Sequence, residues 1–413
     1  MTAVASSAAT PVERDLPDVR RLAQAVAELV QIPSVHPLHA GPRSRAAGPD
    51  GEGALAMHLV DALHRVGASE VVTDEVEPGR PNVYAFVPGR TDRLVVVDVH
   101  TDTVSVEHMT DPPFDGRIAD GHVWGRGALD TKATLGVLLT LLDDWRAAGL
   151  RPEPTLLVVA TVGEEAGGLL GATRFRAWAQ ERGLDVDQVL VAEPTGFAPV
   201  HGLRSLVLAE VTTHGVAAHS AQPELGENAI DAMAPVLAAF AGEAARLRAA
   251  SGSTALGAGS LAVTGIAGGV GTNIVPDRCT LTVSRRIVPG ERPADVLDGL
   301  RRLAEDAAPG ACTVRSLLPD APDGQPGWPA FHQDPDGPLV TLLADLCGTA
   351  PAAAPFGANA LRYSGLAREV VVLGPGSIDH AHQPTERVAL DDLGRTAAVL
   401  RAWLRPGPTG GTA

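Results

Sequence analysis

The chain has 413 residues, 45% of them hydrophobic, with a mean hydropathy of +0.09, enough apolar side chain for a sizeable core and a length that suits two domains better than one. A formal net charge of −16 and a pI of about 5.2 exclude nucleic acid and an anionic membrane surface as expected partners, because both select basic surfaces. Cys279, Cys312 and Cys347 form no C-x-x-C pair, the N-terminus has no basic-then-apolar leader, and no apolar run approaches about 18 residues, so a soluble cytoplasmic protein with reduced thiols is expected.

Residues 1–16 are expected to form a loose tail. Helical periodicity (Val19, Leu22, Val26, Leu29, Val30) predicts a helix over 16–30, and a second series (Leu55, Leu59, Leu63, Val66) predicts one over 53–66, with a Gly- and Pro-rich loop over 40–50 between them. Strands follow at 83–87 and 94–99, a helix over 131–148, and strands at 155–160 and 189–192. This alternation predicts a layered α/β domain with a mainly parallel central sheet. The pattern then changes to a strand at 206–213, an Ala-rich helix over 226–250, strands at 260–266 and 279–287, a helix over 293–307 and a short strand at 312–317. That β-α-β-β-α-β order is the signature of a ferredoxin-like α+β sandwich. A Pro- and Gly-rich stretch, 319–329, reads as a return linker. A helix at 339–347, a strand at 369–373 and a helix at 390–404 then rejoin the first domain, ahead of a low-complexity tail at 406–413. The expected organisation is a catalytic domain made of 1–204 and 319–413, interrupted by an inserted domain at 205–318.

Four apolar strands run into metal-ligating residue types. The 94–99 strand ends in His100-Thr101-Asp102, the 155–160 strand in Gly163-Glu164-Glu165, and the 189–192 strand in Glu193-Pro194-Thr195. The 370–373 strand runs through Gly374-Pro375-Gly376 to Asp379-His380-Ala381-His382. Ligands in open α/β sheets sit beyond the carboxyl ends of the strands, so these side chains are predicted to meet at one sheet edge.

Each piece alone has a plainer reading: a surface His–Asp pair, a helix N-cap at Asp130, a solvated acidic turn, an edge glutamate. Their succession argues for cations instead. Adjacent carboxylates repel unless positive charge sits with them. Asp102 is placed to hold the second ring nitrogen of a ligating His100. Nitrogen and oxygen donors without thiolate suit zinc, with cobalt or manganese as alternatives. Lys132 is the only lysine among 33 Lys and Arg residues, which suggests a position where a guanidinium does not fit.

These motifs, with Gly125-Arg126-Gly127-x-x-Asp130-x-Lys132, His219-Ser220-x-x-Pro223, Asn228-Ala229, Asn273-Ile274-Val275-Pro276-Asp277 and Arg285-Arg286-x-x-Pro289-Gly290-Glu291, resemble the M20 metallopeptidases. The branch is that of acetylornithine deacetylase and succinyl-diaminopimelate desuccinylase, and the resemblance spans nearly the whole chain. It implies two divalent ions, one held by His100, Asp130 and Glu193, the other by Asp130, Glu165 and His382, with Asp130 bridging. It implies Asp102 as the orienting acid of His100, Glu164 as general base, and His219 as hydrogen-bond donor to the oxyanion. In the family that histidine usually comes from the partner subunit of a homodimer, through the inserted lid and dimerisation domain. Asn273 and Arg286 match positions that contact the substrate's carboxylate or backbone. Two residues depart from the family pattern. Ala133 stands where Gly is frequent. Asn359, in Phe356-Gly357-Ala358-Asn359-Ala360, stands where many relatives carry Asp, and is expected near the substrate. The 374–384 stretch is most like the deacetylase version. The expected reaction is therefore hydrolysis of the amide in an N-acyl amino acid. A carboxypeptidase or dipeptidase cleaving a short peptide, and a metal-free scaffold, are the alternatives.

Overall fold

A computed structural model describes residues 16–46, 51–166, 168–250, 255–318 and 326–409. The expected N-terminal tail, the last residues of the C-terminal tail, most of the 319–329 linker and part of the 40–50 loop lie outside them. The chain divides into two compact units, one built from the chain up to residue 201 with 333–352 and everything from 358 on, the other from 202–332 with 353–357. Residues 202–204, 326–332 and 353–357, expected in the first domain, fall in the second unit.

The first unit is a mixed sheet covered by helices. In chain order it contains α1 (Val19–Val30), α2 (Gly51–Arg65), β1 (Glu70–Glu77), β2 (Arg80–Val87), β3 (Thr91–His100), α3 (Lys132–Ala147), β4 (Pro154–Thr161), α4 (Leu170–Glu181) and β5 (Val186–Val191). Three further elements, numbered below, close it after the second unit. The strand order begins β1-β2-β4-β3-β5, with β1 and β2 antiparallel and β3 parallel to both neighbours. Burial on both faces explains why β3 and β4 read as unbroken apolar runs: Val95, Val96, Val97, Leu156, Leu157 and Val158 are all 0% exposed. Sequence reasoning missed β1, whose charged sequence belongs to a sheet edge, and α4. A short helix, Pro42–Ala46, also lies inside the expected loop.

The second unit contains β6 (Ser205–His214), α5 (Ala229–Ala249), β7 (Ser260–Gly268), β8 (Arg278–Ile287), α6 (Pro293–Ala307) and β9 (Cys312–Ser316). The four strands form an antiparallel sheet in the order β7-β8-β6-β9, the ferredoxin-like arrangement. Alternation along β6 and β8 turns Val207, Ala209, Val211, Leu281 and Val283 onto a core with Met233, Val236 and Phe240 of α5 and Leu297 and Leu300 of α6.

The first unit resumes with α7 (Pro338–Cys347), β10 (Ala367–Val372) and α8 (Leu390–Leu404), and β10 adds to the sheet parallel to β5. Four parallel strands, β4, β3, β5 and β10, therefore end at the same edge. Among the described residues no helix is long and apolar enough to cross a membrane.

Candidate metal centre

The shared direction of those four strands does the first part of the assembly. His100 is the last residue of β3 and pairs in register with Thr161, the last of β4, three residues before Glu164. The strand direction of β5 continues one step, where the Ala192 N–H donates to the Asp98 carbonyl at 2.9 Å, and Glu193 follows. His382 comes from the loop after β10. Its backbone φ of +63° lies in the left-handed region, which costs a residue with a Cβ roughly 1–2 kcal/mol.

Asp130 sits at the centre. Its Oδ1 lies 3.1 Å from His100 Nε2 and its Oδ2 lies 3.2 Å from His382 Nε2. His382 Nε2 is also 3.0 Å from Glu165 Oε2. His100, Asp130 and Glu165 each offer a ligand atom within 4.8 Å of the others. Asp130 is not the helix N-cap that its position suggests. Both Asp130 oxygens face imidazoles, and Thr131 takes the N-cap place without a side-chain cap, its hydroxyl donating instead to the His100 carbonyl at 3.1 Å.

Asp102 also differs from expectation. His100 Nδ1 meets the Asp102 backbone carbonyl at 3.0 Å, while the carboxylate stands off at 3.7 Å. The carboxylate is committed elsewhere: Oδ1 accepts the Glu164 N–H at 3.1 Å and Oδ2 accepts the Glu165 N–H at 2.9 Å.

The acids sit in very different fields. Burial would raise the Asp130 carboxyl, but hydrogen bonds from His100 and His382 outweigh it and hold it well below the usual range. Burial would lower the His100 imidazole, and the hydrogen bond and charge of Asp130 reverse that. Hydrogen bonds to Asp130 and Glu165 push His382 up to about 10. Burial pushes Glu165 up to about 7, partly offset by His382, and pushes Glu164 well above its ordinary value. Glu193 rises strongly as well, through burial and then the neighbouring Asp130 and Glu164 charges. Its Oε1 is buried with no hydrogen-bond partner among the described residues. A buried carboxylate oxygen without a donor is costly, and a coordinated cation is the partner that would satisfy it. The donor set therefore fits divalent metal.

Sequence reasoning passed over two supporting acids. Glu386, 1% exposed, accepts the N–H groups of Leu129 and Asp130 at 3.1 and 3.2 Å and pairs with Arg126. Glu52, 2% exposed, pairs with Arg80 and accepts the Gly163 N–H at 3.2 Å, bracing the turn that carries Glu164 and Glu165. The signal for Glu386 was its place four residues after His382; Glu52 lies in the first turn of an amphipathic helix, where acids are ordinary.

The structure does not bring Asn359 to this cluster. It is 1% exposed, and its amide nitrogen donates to Asp98 and Thr161 inside the unit. His219, Asn273 and Arg286 lie on the second unit. His219 and Asn273 are neighbours there, because His219 pairs with Ile274 and the Ser220 N–H donates to the Asn273 carbonyl at 3.0 Å. His219 Nδ1 accepts the Ala221 N–H at 3.1 Å, which leaves the proton of the neutral ring on Nε2. Arg286 is lowered by burial and by the charge of Arg204, and makes no ion pair among the described residues.

A mixed sheet whose four parallel strands bring imidazoles and carboxylates to their carboxyl edge is the arrangement of a metallohydrolase. The chain belongs to peptidase family M20/M25/M40, whose family model matches residues 96–405. It is 30% identical over 365 residues to an acetylornithine deacetylase of Vibrio vulnificus, covering 86% of this chain and 92% of that protein. It is 31% identical over 381 residues to a succinyl-diaminopimelate desuccinylase of Methylorubrum extorquens, covering 86% and 94%. An M20 family metallo-carboxypeptidase from Sulfolobus solfataricus shares the fold, with a TM-score of 0.72 at 17% identity over 93% of this chain and 98% of that one. The protein is a hydrolase of amide bonds.

Proposed function

We propose that the protein removes the acyl group from an N-acyl amino acid with two divalent ions at the carboxyl edge of the sheet. The observation that carries this reading is Asp130, whose two oxygens face two different imidazoles, as a carboxylate shared by two cations requires. His100, Asp130 and Glu193 would hold one ion, and Asp130, Glu165 and His382 the other. Bound there, zinc, cobalt or manganese polarises a carbonyl and lowers the pKa of water. Glu164 takes the proton of the attacking water and returns it to the leaving amine. Asp102 holds the turn bearing Glu164 and Glu165 through its two backbone hydrogen bonds. His219 donates from Nε2 to the developing oxyanion. Arg286, with no acid paired to it among the described residues, takes the substrate carboxylate, and Asn273 its backbone. The two curated relatives, both named for deacylation, support an N-acyl amino acid over a peptide, and a homodimer is the proposed assembly.

Purified protein loaded with zinc or cobalt is to be assayed on N-acetyl and N-succinyl amino acids beside dipeptides. Faster turnover of the acyl amino acids, and loss of turnover in Glu164→Gln with metal content intact, are expected. Preference for the dipeptides would transfer the assignment to a dipeptidase.

A further inference from the structure

Behind the metal centre lies a second polar cluster that the reaction does not use. Asp98 is 0% exposed and precedes His100 by two residues on β3, so both side chains leave the same face of the strand. Asp98 Oδ1 accepts the Thr161 hydroxyl at 3.1 Å and Oδ2 accepts Asn359 Nδ2 at 2.9 Å. The other hydrogen of Nδ2 goes to Thr161 Oγ1 at 2.8 Å, which closes a ring of three side chains. Each donor in the ring meets one acceptor. The remaining Asn359 atom, Oδ1, is buried and has no hydrogen-bond partner among the described residues.

The ring ties together the segments that carry metal ligands. Asp98 leads to His100. Thr161 ends the strand before Glu164 and Glu165, and its carbonyl accepts both the Thr101 N–H at 2.7 Å and the Thr101 hydroxyl at 3.0 Å. Asn359 opens the turn Asn359–Arg362, which is clamped to α4 where Arg362 Nε donates to Thr173 Oγ1 at 3.0 Å and Arg176 donates to the Arg362 carbonyl at 2.7 Å. We infer that Asp98 and Asn359 are a matched pair of positioning residues that set His100 of β3 against the Glu164–Glu165 turn, and that Asn359 does not select substrate. An Asp at 359 would offer acceptors to a carboxylate that needs a donor, and the ring would open. Exchanging the two residues restores one donor amide and one acceptor.

This inference rests on the metal-site reading above. The test is titration of the metal-depleted protein with Co²⁺, followed by its visible absorption, on wild type, Asn359→Asp and the double exchange Asp98→Asn/Asn359→Asp. Asn359→Asp is expected to weaken Co²⁺ binding about 10- to 100-fold and to change the band shape, as loss of a ligand-orienting contact does. The double exchange is expected to recover wild-type affinity to within about threefold and the original band. Wild-type affinity in Asn359→Asp, or no recovery in a folded double exchange, overturns the pairing. Should circular dichroism show either protein unfolded, Thr161→Val, which removes one hydroxyl from the ring, must weaken Co²⁺ binding at least threefold; unchanged affinity overturns the pairing too. If wild type itself takes up no Co²⁺, the metal-site reading falls and this one with it; if wild type binds and the variants match it, only this one falls.

Discussion

His100 Nδ1 lies 3.0 Å from the backbone carbonyl of Asp102 and 3.7 Å from its carboxylate. The main chain orients the imidazole, and the carboxylate is left to hold the N–H groups of Glu164 and Glu165. Replacing Asp102 by Asn puts an amide against one of those donors. Binding of the ion assigned to Glu165 and His382 is expected to weaken about 10- to 100-fold, and that of the ion assigned to His100 and Glu193 to change little. Stepwise zinc titration by calorimetry separates the two sites. Equal loss at both would return the orienting role to the carboxylate.

Glu193 is a buried acid with an oxygen that has no hydrogen-bond partner among the described residues, and such a group costs stability when nothing compensates it. In Glu193→Gln stripped of metal, stability is expected to rise by about 1–3 kcal/mol while metal uptake falls from two ions per chain to one. Urea unfolding with chelator present measures the first and elemental analysis the second.

Metal affinity should climb with pH. His382 is held up to about 10 by Asp130 and Glu165, and Glu165 up to about 7 by burial, so the cluster carries protons near neutrality that a cation must displace. A raised pKa means the proton is bound below it, so lowering pH favours the protonated cluster over the metal. Between pH 6 and 8 the apparent Kd for zinc should fall about tenfold per pH unit for each proton released. Calorimetry in buffers of different ionisation heat counts those protons, and a pH-independent Kd would contradict the assignment of His382 as a ligand.

Lys132 is 1% exposed, and its Nζ donates to the Ile32 carbonyl at 2.8 Å. A Cβ on Gly127, whose φ is +84°, would stand 3.1 Å from Lys132 Cδ, so the channel is already filled. Lys132→Arg overfills it and should cost about 1–3 kcal/mol of stability. Lys132→Met fits but removes the donor to Ile32, at a similar cost. Denaturant melts of the two variants check this; an unchanged Lys132→Arg would remove the steric explanation for a single lysine in an Arg-rich chain.

Much of this architecture was legible because strands buried on both faces leave long apolar runs and the side chains at their ends stand out. Hence β3, β4, β5 and β10, and the candidate residues His100, Glu165 and Glu193 at or just beyond the ends of the first three, could be placed from sequence. Contacts that depend on backbone atoms could not. Nothing in His100-Thr101-Asp102 says that the carbonyl rather than the carboxylate meets the ring. Asn359 lies in a small-residue stretch with no periodicity, so the inward direction of its amide, toward Asp98 and Thr161, is not legible there. Glu386 and Glu52 act on N–H groups of Asp130 and Gly163, partners distant in sequence. The edge strand β1 was missed because its sequence, with four acids and three valines in eight residues, carries little apolar signal.

The central claim is that Asp130 is shared by two cations, and a count of metal per chain tests it most directly. Wild type and Asp130→Ala are to be equilibrated with zinc, freed of excess by gel filtration and measured by elemental analysis. The account predicts two ions in wild type and loss of both sites in Asp130→Ala. A folded Asp130→Ala that keeps either ion at wild-type affinity, or a wild type that holds no metal, would contradict it.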